Sequence, residues 1–211
     1  LLIGSGGREH ALAEALRRDS KLTNLFVAPG NPGIAEIAEC FPIDILDNQA
    51  IINLAKELKI DLVVIGPEAP LVNGLADYCA ANQIACFGPS KAAAQLEGSK
   101  DFAKEIMRLA NVPTAISITC ANQEEIEKAL DKFGPPYVVK HDGLASGKGV
   151  VVTNDRNEAL THALNSEKVV IEEYLDGPEI SLFGISDGNS VIPLQPAQDF
   201  KRAYDDDIGL N

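Results

Sequence analysis

A glycine-rich loop follows a short apolar strand and contains the residues best suited to bind phosphate. Residues 143–149 include three glycines and Lys148, and Lys140 ends the strand that precedes them. Glycines let backbone amides approach a phosphate closely, and ammonium groups neutralise its charge. The loop joins two predicted strands, so it differs from a Walker A loop, which leads into a helix. A flexible hairpin tip with a solvated lysine is the alternative, but Lys140 favours a phosphate site because a lysine closing an apolar strand is costly without an anionic partner.

A second glycine cluster, residues 4–10, follows the first predicted strand and opens a helix. This context matches a dinucleotide-binding fingerprint, but Glu9 takes the third glycine position and would repel a pyrophosphate. Ala28-Pro29-Gly30 stands where the fingerprint has an acidic residue for the ribose. We therefore expect no NAD or FAD here. The amides of Gly6 and Gly7 can bind another anion, such as a sugar phosphate, at the helix N-terminus; a tight turn without a ligand is the alternative.

An acidic segment, residues 171–179, follows a later strand. Backbone groups of an extended segment can hydrogen-bond an adenine edge, and Glu179 can hold ribose hydroxyls. Taken alone the pattern indicates no more than a hydrophilic turn. Its position after the lysine and the glycine-rich loop favours nucleotide binding.

Composition narrows the class of partner. The 211 residues carry 18 Lys and Arg against 31 Asp and Glu, a net charge of −13, which disfavours a sequence-independent nucleic-acid binder. The four cysteines lack zinc-ligand spacing and suit a reducing compartment, so we expect a cytoplasmic protein. No apolar run approaches the roughly 20 residues of a membrane span, and we expect no membrane partner.

The order of predicted elements changes near residue 98. Before it, strands alternate with helices, which predicts an α/β domain with a parallel, doubly wound sheet. In such sheets ligands bind beyond the carboxyl ends of the strands. The loops expected to line that edge are 4–10, 28–33, 66–71 and 88–90.

After residue 98 the pattern predicts an α+β, largely antiparallel domain, with Asn122 and Glu125 forming a capping box. Helices are expected at 49–59, 71–81, 99–109 and 122–133, and strands at 62–65, 84–87, 112–118, 137–140, 169–173, 180–185 and 191–194.

Lys100, Lys140, the glycine-rich loop and the segment ending at Glu179, in this order, resemble the ATP-grasp enzymes. Within them the whole chain is similar to the phosphoribosylamine–glycine ligases, also called glycinamide ribonucleotide synthetases. The motifs that carry this likeness are Gly6-Gly7-Arg8-Glu9-His10-Ala11-Leu12, Ala28-Pro29-Gly30-Asn31, Gly66-Pro67-Glu68-Ala69-Pro70-Leu71, Gln95-Leu96-Glu97-Gly98-Ser99-Lys100, Asp142-Gly143-Leu144-Ala145-Ser146-Gly147-Lys148-Gly149 and Gln198-Asp199-Phe200-Lys201-Arg202.

The resemblance implies a Rossmann-like substrate domain at 1–98 and an incomplete ATP-grasp domain at 99–211. In the latter, 112–174 would form the phosphate-covering lobe and 175–211 the start of a second lobe. The implied reaction belongs to de novo purine biosynthesis. ATP phosphorylates glycine, and the amine of 5-phosphoribosylamine displaces phosphate to give glycinamide ribonucleotide. We expect a monomer that uses ATP with Mg²⁺ or Mn²⁺, whose ligands would lie beyond Asn211.

The same resemblance assigns roles to individual residues. The expected nucleotide-binding residues are Lys100, Lys140, Gly143, Ser146, Gly147, Lys148, Gly149, Glu172, Glu173, Tyr174, Leu175 and Glu179. The expected substrate-binding residues are Gly6, Gly7, Arg8, Glu9, Gly30, Asn31, Pro67 and Glu68. The expected catalytic residues are Lys140, Lys148, Asp199, Lys201 and Arg202.

Three departures from the family lead to expectations of their own. His141 stands where the family has a small residue, and we expect it to touch the phosphate loop without a catalytic role. The segment between Val152 and Val169 is short, so we expect a missing loop and a Cα–Cα gap wider than about 3.8 Å near Ser166–Glu167. We also expect residues 1–211 alone to be inactive, because the metal ligands would be missing.

Two alternatives stay open. The chain can belong to another ATP-grasp carboxylate–amine ligase, or to a non-catalytic nucleotide-binding module. Gly-Gly-Arg-Glu-His and Gly-Pro-Glu-Ala-Pro-Leu favour the glycine enzyme.

Overall fold

A computed structural model of the chain describes residues 1–144, 149–198, 200 and 204. The chain divides into two compact units, Leu1–Glu173 and Tyr174–Asn211. No helix among the described residues has the length and apolar character needed to cross a membrane.

The first unit begins with a parallel five-stranded sheet, which confirms the predicted α/β class. The strand order is β3-β2-β1-β4-β5, so the chain winds outward in both directions from the neighbouring strands β1 and β4. The strands are β1 Leu2–Gly4, β2 Phe26–Pro29, β3 Glu39–Cys40, β4 Leu62–Ile65 and β5 Ala85–Phe87, and the helices are α1 Gly7–Arg17, α2 Asn48–Glu57, α3 Glu68–Val72, α4 Leu75–Ala81 and α5 Lys91–Gly98.

Both faces of this sheet are buried, as expected for parallel strands. Leu2 packs with Ala13 and Val27 on one face, whereas its neighbour Ile3 packs with Ile51 and further residues of α2 and α4 on the other. Successive strand residues point to opposite faces, which explains why consecutive residues join different clusters.

The predicted helix at 71–81 is two helices, α3 and α4. Gly74 separates them with a φ of +91°, a left-handed conformation that glycine adopts at little cost. The Asn73 side chain fixes this break by donating to the Leu46 carbonyl at 2.9 Å. Strand β3 and helix α5 were not predicted; β3 has two residues, too few for a periodic signal.

The rest of the first unit contains an antiparallel four-stranded sheet of order β6-β9-β7-β8. Helices α7 and α8 cover one face, where Leu130 and Ala159 pack on Val139 and Ile171. The elements are α6 Lys100–Leu109, β6 Ser117–Cys120, α7 Gln123–Phe133, β7 Tyr137–His141, β8 Val150–Thr153, α8 Arg156–Leu164 and β9 Val169–Glu172.

The ends of α6 and α7 differ from the sequence expectations. The Val112 amide donates to the Met107 carbonyl at 2.8 Å and Asn111 has a φ of +55°. The chain therefore still caps α6 at Val112, and β6 begins at Ser117 instead of the predicted 112. At α7, Asn122 accepts from the Glu125 amide at 3.0 Å as predicted, but Glu125 accepts from the Ala121 amide instead of that of Asn122.

The segment between β8 and β9 consists of α8 and a short turn, and the missing loop expected near Ser166–Glu167 stays a prediction. Asp155 caps α8 by accepting from the Asn157 amide at 2.8 Å. After the helix, the Ser166 hydroxyl donates to the Lys168 carbonyl at 3.0 Å. Ala159 and Ala163 are fully buried, so α8 lies close to the sheet and a short turn suffices to reach β9.

The second unit holds two small antiparallel pairs among its described residues. β10 Ile180–Ser181 pairs with β13 Ala197–Gln198, and β11 Gly184–Ser186 pairs with β12 Val191–Pro193. The predicted single strand at 180–185 is thus divided between two sheets. A turn joins β11 to β12, with Asp187 accepting from the Asn189 and Ser190 amides at 2.9 and 2.8 Å.

Candidate nucleotide and substrate sites

Lys140 and Glu172 lie on the face of the four-stranded sheet opposite α7 and α8. Val138 pairs with Glu172 across β7 and β9, and directly paired side chains share a face. Lys140, two residues further along β7, points to the same side, and its ammonium forms an ion pair with Glu172 Oε1. The Glu172 side chain is 5% exposed and that of Lys140 is 30% exposed. Register therefore places the predicted phosphate lysine beside a buried carboxylate.

Lys104, on α6, contacts the second oxygen of that carboxylate. Its ammonium is 2.7 Å from Glu172 Oε2 and donates to Thr114 Oγ1 and the Ala115 carbonyl, each at 2.9 Å. The sequence reading missed Lys104. The available signal was its spacing of four residues from Lys100, which puts both lysines on one side of α6.

The start of the glycine-rich loop is fixed to the N-terminus of α6. Asp142 Oδ1 accepts from the Lys100 and Asp101 amides at 2.6 and 3.3 Å, and the Lys100 ammonium donates to the Gly143 carbonyl at 2.9 Å. A carboxylate at this position is also favoured by the helix dipole. Gly143 has a φ of +101°, which a residue with a side chain rarely adopts. The contact brings Lys100 to the loop, as a shared phosphate site requires.

An ion-pair network supports this anchor. The Lys168 ammonium is 2.6 Å from Asp101 Oδ2 and 3.4 Å from Asp142 Oδ2. Hydrogen bonds from Lys168 and then from Thr119 lower the pKa of Asp101, and the bond to Asp101 raises the pKa of Lys168. Both groups therefore stay charged at neutral pH beside the loop.

His141 closes the base of the glycine-rich loop through its backbone. Its amide donates to the Gly149 carbonyl at 2.7 Å. Its ring stacks on that of His162 with centroids 4.1 Å apart, and its Nε2 lies 2.9 Å from the His162 carbonyl. The ring thus packs against α8. The predicted residues Ser146, Gly147 and Lys148 lie outside the described part of the chain, as do Asp199, Lys201 and Arg202.

The residues expected to hold adenine and ribose are divided between the two units. Glu172 and Glu173 belong to the first unit, where Glu173 Oε1 accepts from the Ile116 amide at 2.8 Å. Tyr174, Leu175 and Glu179 belong to the second unit and are exposed.

The predicted substrate residues lie at the carboxyl edge of the parallel sheet. β1 and β4 are neighbours there and lead into α1 and α3, so the point where the strand order reverses, at which such sheets bind ligands, lies at the ends of these two strands. Arg8 links α1 to α3 by donating to both carboxylate oxygens of Glu68 at 2.8 and 3.3 Å. This pairing raises the pKa of Arg8 and lowers that of Glu68. Pro67 is the N-cap of α3 and places Glu68 in its first turn.

Glu9 lies in the first turn of α1, and its side chain reaches back to the turn that precedes the helix. Its side chain accepts from the Gly6 amide at 2.7 Å, and the residue is 3% exposed. A Cβ at Gly4 or Gly66 would overlap the Glu9 side chain, so both glycines are required for its placement. Glu9 Oε1 has no hydrogen-bond partner within the described protein. The carboxylate therefore occupies the space next to Gly6 and leaves one buried oxygen for a ligand or a water.

Asn31 ties the loop after β2 to the loop after β1. Its Nδ2 donates to the Ser5 carbonyl and its Oδ1 accepts from the Ile34 amide, both at 2.9 Å. Gly30, with a φ of +74°, donates its amide to the Gly4 carbonyl at 3.2 Å. The structure therefore brings the predicted substrate residues to one edge of the sheet. These are Gly6, Gly7, Arg8, Glu9, Gly30, Asn31, Pro67 and Glu68.

Metal ligands are not assigned. Within the described ranges no group of three or more His, Cys, Asp or Glu side chains is arranged to hold a metal ion.

A parallel α/β domain, followed by an antiparallel sheet that presents two lysines and a glycine-rich loop, defines an ATP-grasp protein. The chain belongs to the phosphoribosylglycinamide synthetase family. The model of the family's N domain matches residues 1–97, and the model of its ATP-grasp (A) domain matches residues 98–211.

Curated relatives match over the full chain. The phosphoribosylamine–glycine ligase of Streptomyces coelicolor is 58% identical over 211 residues, covering 100% of this chain and 51% of the relative. That of Mycobacterium leprae is 53% identical over 220 residues, covering 100% and 52%. The chain thus spans about half the length of the curated relatives it matches. The Streptomyces alignment has the length of this chain, whereas the Mycobacterium alignment is longer, at 220 residues against 211.

Solved structures show the same fold. The phosphoribosylamine–glycine ligase of Thermotoga maritima superposes with a TM-score of 0.80 at 31% identity, covering 100% of this chain and 52% of that one. An ADP complex of N5-carboxyaminoimidazole ribonucleotide synthetase superposes with a TM-score of 0.76 at 21% identity, covering 98% and 54%. At that identity the second likeness shows the fold alone.

Proposed function

We propose that this chain is part of an ATP-dependent ligase that joins glycine to 5-phosphoribosylamine and forms glycinamide ribonucleotide, ADP and phosphate in de novo purine biosynthesis. The observation that carries the proposal is the placement of Lys100 and Lys140 around the base of the glycine-rich loop. These lysines belong to a chain that the two domain models of the family together match over its full length.

The lysines and the loop would bind the nucleotide phosphates. Lys100 reaches the loop at Gly143, and Lys140 is the penultimate residue of the strand that leads into the loop. Cationic groups that neutralise phosphoryl oxygens supply much of the catalysis in phosphoryl transfer. Gly143, Ser146, Gly147, Lys148 and Gly149 would cover the phosphates. Glu172, Glu173, Tyr174 and Leu175 would frame adenine, and Glu179 would hold the ribose.

The chemistry requires activation of a carboxylate. A carboxylate is a poor electrophile until one of its oxygens becomes a leaving group. An oxygen of glycine attacks the γ-phosphorus of ATP and expels ADP, giving glycyl phosphate. The amine then attacks the acyl carbon, loses a proton and expels phosphate as the amide forms. The role of the lysines is to hold and neutralise the transferring group, with Asp199, Lys201 and Arg202 proposed near the reacting atoms.

The carboxyl edge of the parallel sheet, at the ends of β1 and β4, would bind the phosphoribosyl group. Gly6 and Gly7 present amides at the N-terminus of α1, which favours an anion. Arg8, Glu68 and Asn31 offer charged and polar groups at the same edge. The unpaired Glu9 Oε1 would accept a hydrogen bond from the sugar or the amine.

We further propose that the enzyme uses Mg²⁺ or Mn²⁺, which would neutralise phosphate charge when bound. We further propose a monomeric, cytoplasmic enzyme.

An omission assay on the full-length protein tests the proposal. ADP release is measured with ATP, glycine and 5-phosphoribosylamine together, and then with each one omitted in turn. We expect sustained ADP release only with all three present, because amide formation needs each of them. Equal turnover with a different amine would favour another ATP-grasp ligase, and nucleotide binding without turnover would favour a non-catalytic module.

A further inference from the structure

Lys104 is a mostly buried cation that has no role in the proposed reaction so far. Its side chain is 17% exposed, and its ammonium donates to Thr114 Oγ1 and the Ala115 carbonyl, each at 2.9 Å. The same ammonium forms an ion pair with Glu172 Oε2 at 2.7 Å. Lys104 is thereby held beside Glu172, and its charge acts on the site through that carboxylate.

Glu172 lies between two ammonium groups. Its Oε2 is 2.7 Å from Lys104 and its Oε1 contacts Lys140, while its side chain is 5% exposed. One carboxylate and two lysines leave the Lys104–Glu172–Lys140 trio with a net charge of one positive unit. With Lys140 alone as its partner, the same carboxylate would form a neutral pair.

We propose, building on the proposed function, that Lys104 is a positioning residue for nucleotide binding. It compensates the charge of Glu172, so that Glu172 can orient Lys140 without cancelling its attraction for phosphate. Lys140 is 30% exposed, which leaves it as the more accessible lysine of the trio. Charges a few ångströms apart interact more strongly at a partly buried site than in water, so the compensation has a measurable effect.

The test is a set of variants of the full-length protein titrated calorimetrically with MgATP. Lys104→Met should weaken binding by about tenfold, since Glu172 then neutralises Lys140. Lys104→Met combined with Glu172→Gln should bind MgATP more tightly than Lys104→Met alone and within about threefold of Glu172→Gln, because no uncompensated carboxylate then offsets the charge of Lys140. A purely structural role for Lys104 predicts the opposite, a double variant as weak as the single variant or weaker.

Two further variants keep the proposal testable if Lys104→Met does not fold. Lys104→Arg preserves the charge and should stay within about threefold of the unsubstituted protein. Glu172→Gln alone gives the affinity of the site without the carboxylate, and adding Lys104→Met to it should cost less than about threefold; a further loss of about tenfold in that background would overturn the inference. Lys128→Met, at a lysine whose side chain is 73% exposed on α7, is the matched control.

The outcomes separate this inference from the function on which it rests. If the unsubstituted protein binds MgATP and Lys104→Met binds it equally well, the inference fails and the ligase proposal stands. If the unsubstituted protein does not bind MgATP, the ligase proposal fails and this inference fails with it.

Discussion

Replacing Lys140 with methionine should weaken nucleotide binding by roughly tenfold to a hundredfold. This range corresponds to a charge-assisted contact of about 1.5–3 kcal/mol. Lys140 is the penultimate residue of β7, close to the glycine-rich loop, and the substitution removes its charge while keeping much of the apolar stem that lies on the sheet. Calorimetric titration of the full-length protein with MgATP measures the effect.

Arg8→Ala is the counterpart of this experiment in the other half of the chain. Arg8 lies at the edge of the parallel sheet, where it pairs with Glu68. The substitution should raise the KM for the phosphoribosyl substrate and leave MgATP affinity close to that of the unsubstituted protein. Lys128→Met, on the exposed side of α7, should change neither quantity. Identical profiles for the Lys140 and Arg8 variants would contradict the division of roles between the two sites.

Glu9→Ala should lower the free energy of unfolding by about 1.5–3 kcal/mol. It removes the acceptor for the Gly6 amide and leaves a space in a region that excludes solvent. It should also raise the KM for the phosphoribosyl substrate, since the Gly6–Gly7 turn loses its support. Thermal or denaturant unfolding measures the first effect and steady-state kinetics the second.

Two comparisons check that the effect comes from the Glu9 carboxylate. Glu9→Gln keeps an acceptor of similar size and should cost less than Glu9→Ala. Gly66→Ala should reproduce part of the loss, because its added Cβ would overlap the Glu9 side chain. Glu14→Ala repeats the change further along α1. If Glu14→Ala and Glu9→Ala are equally destabilising, the effect comes from the loss of an acidic side chain on α1 and not from the turn.

The sequence could predict the α/β class and most elements because local patterns decide them. The apolar runs at β1 and β4 and the turn residues after them indicate a parallel sheet whose carboxyl edge carries the ligands. The failures were also local. Gly74 breaks a helix through its own conformation, and Asn111 delays β6 by capping α6. Where a helix breaks or ends depends on contacts such as that of Asn73 with Leu46, which the sequence alone does not reveal.

The candidate sites were less predictable than the fold. Motif order indicated Lys100, Lys140 and the loop, but the roles of Lys104 and Asp142 depend on pairing across distant segments. Glu172 meets Lys104 and Lys140 only once β7, β9 and α6 are assembled. Glu9 was expected to face the substrate, whereas its carboxylate also supports the turn through Gly6.

The most direct test of whether glycine is activated as glycyl phosphate is to follow its carboxylate oxygens into the products. The full-length protein is supplied with ATP, 5-phosphoribosylamine and glycine labelled with ¹⁸O in its carboxylate, and the released phosphate is examined by mass spectrometry. Activation through glycyl phosphate predicts one ¹⁸O atom in each phosphate and one in each amide carbonyl. Unlabelled phosphate, or label in AMP, would contradict activation of glycine by phosphoryl transfer.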